Sequence, residues 1–101
     1  MASKNKLKIM LSIMRELNDG NCPQASDYEI ERVEYYNILE ACYDENYIKN
    51  VNFHYDKQNN IVGVTAEDAR LTVKGMEYLN ENSKFMKAYK GLKEIREWIN
   101  W

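Results

Sequence analysis

His54 is the only histidine in the chain, and general acid–base chemistry would need it beside a nucleophile or a carboxylate. No Ser, Cys or acid stands at a telling spacing from it, so it reads as a surface residue. Carboxylates are plentiful but scattered along what look like helix surfaces. A paired acid–base site would need two of them converging from different elements, and the plainer reading is solvated faces. Cys22 and Cys42 sit in unrelated contexts without zinc-ligand spacing, and read as two reduced thiols. Gly20, Gly63, Gly75 and Gly91 are too dispersed to form a phosphate loop. The chain therefore reads as a non-enzyme with no cofactor and no metal.

Binding chemistry is better represented. Arg32, Tyr36 and Asn37 fall on the outward side of an expected third helix. Arg suits guanine and Asn suits adenine in a major groove. Lys57, Gln58 and Asn59 lie in a polar tip that could touch phosphate, as could Lys4, Lys6 and Lys8. The same helix also carries Glu34, Glu40 and Asp44, and carboxylates pressed against a duplex lose attraction and hydration. Tyr36, Glu40, Tyr43 and Asp44 together make an alternative, an aromatic pair in an acidic surround suited to a protein partner.

Charge is unevenly distributed. The net value is −2. Residues 21–56 hold eight acids against Arg32 and Lys49, whereas the segment from Ser83 onward holds five bases against Glu94 and Glu97. An acidic middle lies between basic ends, which excludes a polycation but allows local contact with an anion. No apolar run reaches the length of a membrane span, and the polar start Met1-Ala2-Ser3-Lys4 carries no signal peptide. Both point to a cytoplasmic protein.

The elements that must hold these residues follow from periodicity. Leu7, Met10, Leu11, Met14 and Leu17, widened by Ile9 and Ile13, predict a first helix over 4–18, buried between two neighbours. Asn18-Asp19-Gly20-Asn21 stops it. Ser26 or Asp27 could cap a short second helix after Pro23. The third helix is expected over 31–46, with Tyr35, Ile38, Leu39 and Cys42 inward. Val51-Asn52-Phe53-His54-Tyr55 alternates as a strand. Ile61 to Thr65 returns, so the pair forms a hairpin, the candidate wing.

Arg70-Leu71-Thr72-Val73-Lys74-Gly75-Met76-Glu77-Tyr78-Leu79 is the organising junction. A short strand ends there and a fourth helix begins, with Thr72 as its cap. Leu71, Met76 and Leu79 are expected in the core. Gly75 lowers helix propensity by about 1 kcal/mol, which suggests close approach of another backbone. A fifth helix is expected over 83–101 and should pack on the first. Its Phe85, Ala88, Tyr89, Leu92, Ile95 and Ile99 share a face. Trp98 and Trp101 are read as closing the core rather than as a sticky patch. The wide apolar arcs of the first and last helices could also join two copies.

The order helix, short helix, helix, two- to three-stranded wing, helix resembles a winged helix with an added C-terminal helix. It is an α+β, mostly helical single domain over 1–101 with a core at about 4–82. The Leu-Thr-x-x-Gly-x-x-x-Leu run resembles the segment after the wing in many such domains. Glu45-Asn46-Tyr47-Ile48, the 71–79 run, Lys87-Ala88-Tyr89-Lys90 and Lys93-Glu94-Ile95-Arg96-Glu97-Trp98-Ile99 together resemble the YjcQ-like family. These are small proteins of Bacillus-group bacteria and their phages. The resemblance implies a winged-helix fold in a cytosolic, prophage-related setting. It implies no activity, and no site residues carry over from it. The reading reached is a small DNA-binding regulator of double-stranded DNA, with a protein-interaction adaptor as the alternative.

Overall fold

A computed structural model of the chain describes residues 5–100, so Lys4 and Trp101 lie outside the described residues. Helix α1 spans Lys6–Asn18 and is capped by Asn5, whose side chain accepts from the Lys8 amide at 3.1 Å. Ile9, Leu11, Ile13 and Met14 are fully buried, each worth roughly 1.5–3 kcal/mol of transfer free energy. The opposite stripe, Lys8, Ser12 and Glu16, is also buried. The expectation of a helix enclosed by neighbours therefore holds. Leu7 departs from it, being 40% exposed.

A 3₁₀ turn follows at Ala25–Tyr28, where Asp27 reaches back to accept from the Gln24 amide at 2.7 Å. Helix α2 spans Arg32–Asp44 and buries Tyr35, Ile38, Leu39 and Cys42, as the spacing predicts. Strand β1 (Ile48–Lys49) and strand β4 (Arg70–Leu71) pair antiparallel, with Ile48 opposite Leu71 and Lys49 opposite Arg70. Between them, β2 (Asn52–Tyr55) and β3 (Ile61–Thr65) form the wing hairpin as a separate two-stranded ladder. Its tip is tied by Asp56, whose Oδ1 accepts from the amides of Gln58 and Asn60 at 2.8 and 2.9 Å.

Helix α3 (Val73–Glu81) starts at Thr72, whose hydroxyl accepts from the Gly75 amide at 2.9 Å. Gly75 is buried against the Tyr47 carbonyl. Tyr78 stacks on Tyr47 with ring centroids 4.4 Å apart. Seating the helix on its glycine turns Met76 outward, to 48% exposure, so Met76 is not a core residue. Leu71 is buried and Leu79 half-buried.

The expected fifth helix is broken. It comprises α4 (Ser83–Met86), a 3₁₀ turn (Leu92–Glu94) and α5 (Ile95–Ile99). Regular helix stops at Met86, and Gly91, at φ +98°, takes a positive-φ conformation that redirects the chain into the Leu92–Glu94 turn. The break lets the segment fold back on itself, with the Trp98 indole N–H donating to the Phe85 carbonyl at 3.1 Å. The single face assumed for a continuous helix is lost, and Phe85 and Ala88 are exposed while Met86 is buried. Trp98 is buried in the core, edge-on to Tyr89. This segment does pack on α1, where the Asn5 amide donates to the Ile99 carbonyl at 3.3 Å. The result is an α+β, mostly helical, winged-helix arrangement.

Candidate interaction surfaces

The outward side of α2 is the natural place to look for a reading surface. At about 100° per residue, its core-facing residues centre opposite Val33, Asn37, Glu40 and Asp44. No cation stands on that solvent face. Arg32, Tyr36 and Tyr43 lie on one flank, and the wing leans against that flank. Tyr43 meets Phe53 edge-on at 5.5 Å, and the Tyr55 hydroxyl donates to Glu40 Oε2 at 2.8 Å. Tyr36 is half-buried, its ring 6.4 Å from that of Tyr35. Of the aromatic pair expected to be open, Tyr36 is half-buried, while Tyr43 touches the wing yet remains 46% exposed.

The sequence-derived candidates divide among three depressions. Arg32 and Tyr36 line a cleft of about 490 Å³ with Val64 and Thr65 of the wing. Asn37 faces the other way, into a groove of about 640 Å³ between α1 and α2. Tyr43 and Asp44 border a third, of about 1060 Å³, beside β1 and β4. Lys57, Gln58 and Asn59 are exposed at the wing tip. Lys8 is not available to phosphate, because its ammonium is buried and donates to the Trp98 carbonyl at 3.0 Å.

His54 Nε2 sits 2.8 Å from Thr65 Oγ1 on the exposed wing. Burial pushes the Cys42 thiol up to about 12, and burial also raises the Tyr28, Tyr35 and Tyr89 phenols, so all four stay protonated. Among the described residues, no group of three or more His, Cys, Asp or Glu side chains could hold a metal ion. No described helix is long and apolar enough to cross a membrane.

Comparison with known proteins adds a lineage. The family model described as "YjcQ protein" matches residues 7–98, which takes in every element from α1 to Trp98 of α5. The chain belongs to the YjcQ family. It is 32% identical over 96 residues to "Uncharacterized protein YjcQ" of Bacillus subtilis (strain 168), covering 94% of this chain and 98% of that one. No solved structure matches the chain.

Within this YjcQ-family fold, the β1–β4 ladder presents a feature that sequence reading missed. Residues opposite each other in an antiparallel pair project to the same face. Ile48 and Leu71 go inward, and Lys49 and Arg70 stand side by side on the outer face, both exposed. Among the described residues neither makes an ion pair. Twenty residues separate them, so nothing local in the sequence signals their meeting.

Proposed function

We propose that this YjcQ-family chain is a non-enzymatic winged-helix domain that contacts the phosphate backbone of double-stranded DNA, as a small cytoplasmic regulator of phage or prophage type. The observation that carries the reading is the exposed Lys49–Arg70 cross-strand pair. Like charges placed opposite in a ladder destabilise it, by up to about 1 kcal/mol, so the pair works against folding. A phosphate between two such cations relieves the repulsion and accepts charge-assisted hydrogen bonds from both. Lys57 at the wing tip supplies a further contact.

Asp44 and Asp68 border the same depression as Lys49 and Arg70, so the formal charges of the four cancel and the attraction for phosphate is modest. The acidic solvent face of α2 argues against insertion of that helix into a major groove. Binding rests on two or three phosphate contacts and is correspondingly weak and salt-sensitive.

Fluorescence anisotropy of a labelled random duplex across a salt series tests this. Two or three contacts give a slope of log K on log salt of about −2 to −3. Lys49→Glu with Arg70→Glu should abolish binding, whereas Arg32→Ala should leave it nearly unchanged. No binding at several hundred micromolar protein and low salt, or loss through Arg32→Ala alone, overturns the reading.

A further inference from the structure

The groove between α1 and α2 is an apolar trough left open. Val33 is 62% exposed and Leu7 40% exposed, while Met10 and Ile38 form a floor between the two helices. The rim carries both signs of charge, Lys6 on α1 and Glu31 and Glu34 beside α2. Among the described residues none of these three makes an ion pair.

We propose that the occupant of this groove is a second copy of the same chain. A two-fold contact sets one patch against itself, so a residue at one edge meets the opposite edge of its mate. A rim with a cation on one edge and acids on the other is complementary under that operation. Lys6 of each copy approaches Glu31 and Glu34 of the other, while Val33 and Leu7 are covered at the centre. A uniformly acidic partner would be repelled by the two glutamates, and a uniformly basic one would leave Lys6 facing like charge. The α1–α5 route to a dimer is closed, because those two faces already bury one another within the chain, with Ile95, Trp98 and Ile99 inaccessible. This inference does not rest on the DNA reading.

Sedimentation velocity of the full chain over a concentration series provides the test. The wild type should shift from monomer to dimer with rising concentration. Val33→Glu, at a position too exposed to endanger the fold, should remain monomeric with unchanged far-UV circular dichroism. Lys6→Glu should weaken association by roughly tenfold or more. Adding Glu31→Lys and Glu34→Lys to Lys6→Glu should restore it. The proposal is overturned by a wild type that stays monomeric up to high micromolar concentration. It is equally overturned if Val33→Glu still dimerises, or if the charge exchange fails to rescue.

Discussion

Gly75 approaches the carbonyl of Tyr47 so closely that a methyl group at its Cβ position would lie 2.1 Å from that oxygen. The same carbonyl accepts from the Thr72 amide at 2.9 Å, and the Thr72 hydroxyl donates to the Asn46 carbonyl at 2.6 Å. Helix α3 is therefore fastened to the segment leading into the wing by backbone contact rather than by a large apolar face.

Gly75→Ala reverses the usual sign of its substitution class. Helix propensity alone favours alanine by about 1 kcal/mol. The contact with the Tyr47 backbone cannot yield by a side-chain rotation, so an overpacking cost of about 3 kcal/mol less the propensity gain leaves a net loss of about 2 kcal/mol. Urea unfolding of the two proteins measures it, and a stabilised variant would refute the close-contact account.

A second prediction concerns the polar side of α1. The Tyr89 hydroxyl lies 2.9 Å from Ser12 Oγ and donates to Glu16 Oε2, while Asn21 donates to Glu16 Oε1 at 3.1 Å. Glu16 is only 8% exposed. Tyr89→Phe keeps the ring and removes one partner from a buried carboxylate, which should cost about 1–3 kcal/mol. The midpoint of chemical unfolding should fall accordingly, and an unchanged midpoint would mean that water replaces the phenol.

The buried phenols set the alkaline limit. Tyr28, Tyr35 and Tyr89 are each raised from the ordinary value of 10.0, chiefly by burial. A group whose folded pKa exceeds its unfolded one contributes its full stability below the unfolded pKa and loses it as pH rises. Stability should thus be level up to about pH 9 and fall steadily above pH 10. Phenolate absorbance should show these three tyrosines ionising only as the chain unfolds.

Thiol chemistry separates the two cysteines. Cys22 is exposed and Cys42 buried, with Cys42 pushed up to about 12. An aromatic disulfide reagent at pH 8 should label one thiol per native chain, at Cys22, and two after denaturation. Native labelling of both would show that α2 opens from the core.

Much of this architecture was legible because it rests on local periodicity. Tyr35, Ile38, Leu39 and Cys42 announce the inner face of α2, and the alternation from Val51 to Tyr55 announces the wing. Thr72 and Gly75 mark the α3 junction with the right chemistry. Long-range placement was not legible. The burial of Lys8, Ser12 and Glu16 depends on Tyr28, Tyr89 and Trp98 arriving from distant parts of the chain. The apolar spacing after Ser83 fits one helix, and only the left-handed turn at Gly91 shows that Tyr89 and Trp98 face one another across a fold-back. At the candidate surface, the exposure of Arg32, Asn37, Tyr43 and Asp44 follows from their spacing on α2, but the half-burial of Tyr36 and Glu40 and the wing's lean against Tyr43 are tertiary events. The meeting of Lys49 with Arg70 is another.

The clasp of Ile99 and Trp98 on Asn5 and Lys8 couples segments far apart in the sequence. If residues 95–99 detach, the Lys8 ammonium loses the Trp98 carbonyl and the apolar arc of α1 loses the cover of Ile95 and Ile99. Local opening of α5 therefore costs a buried hydrogen bond and apolar cover together, which ties its loss to the opening of α1.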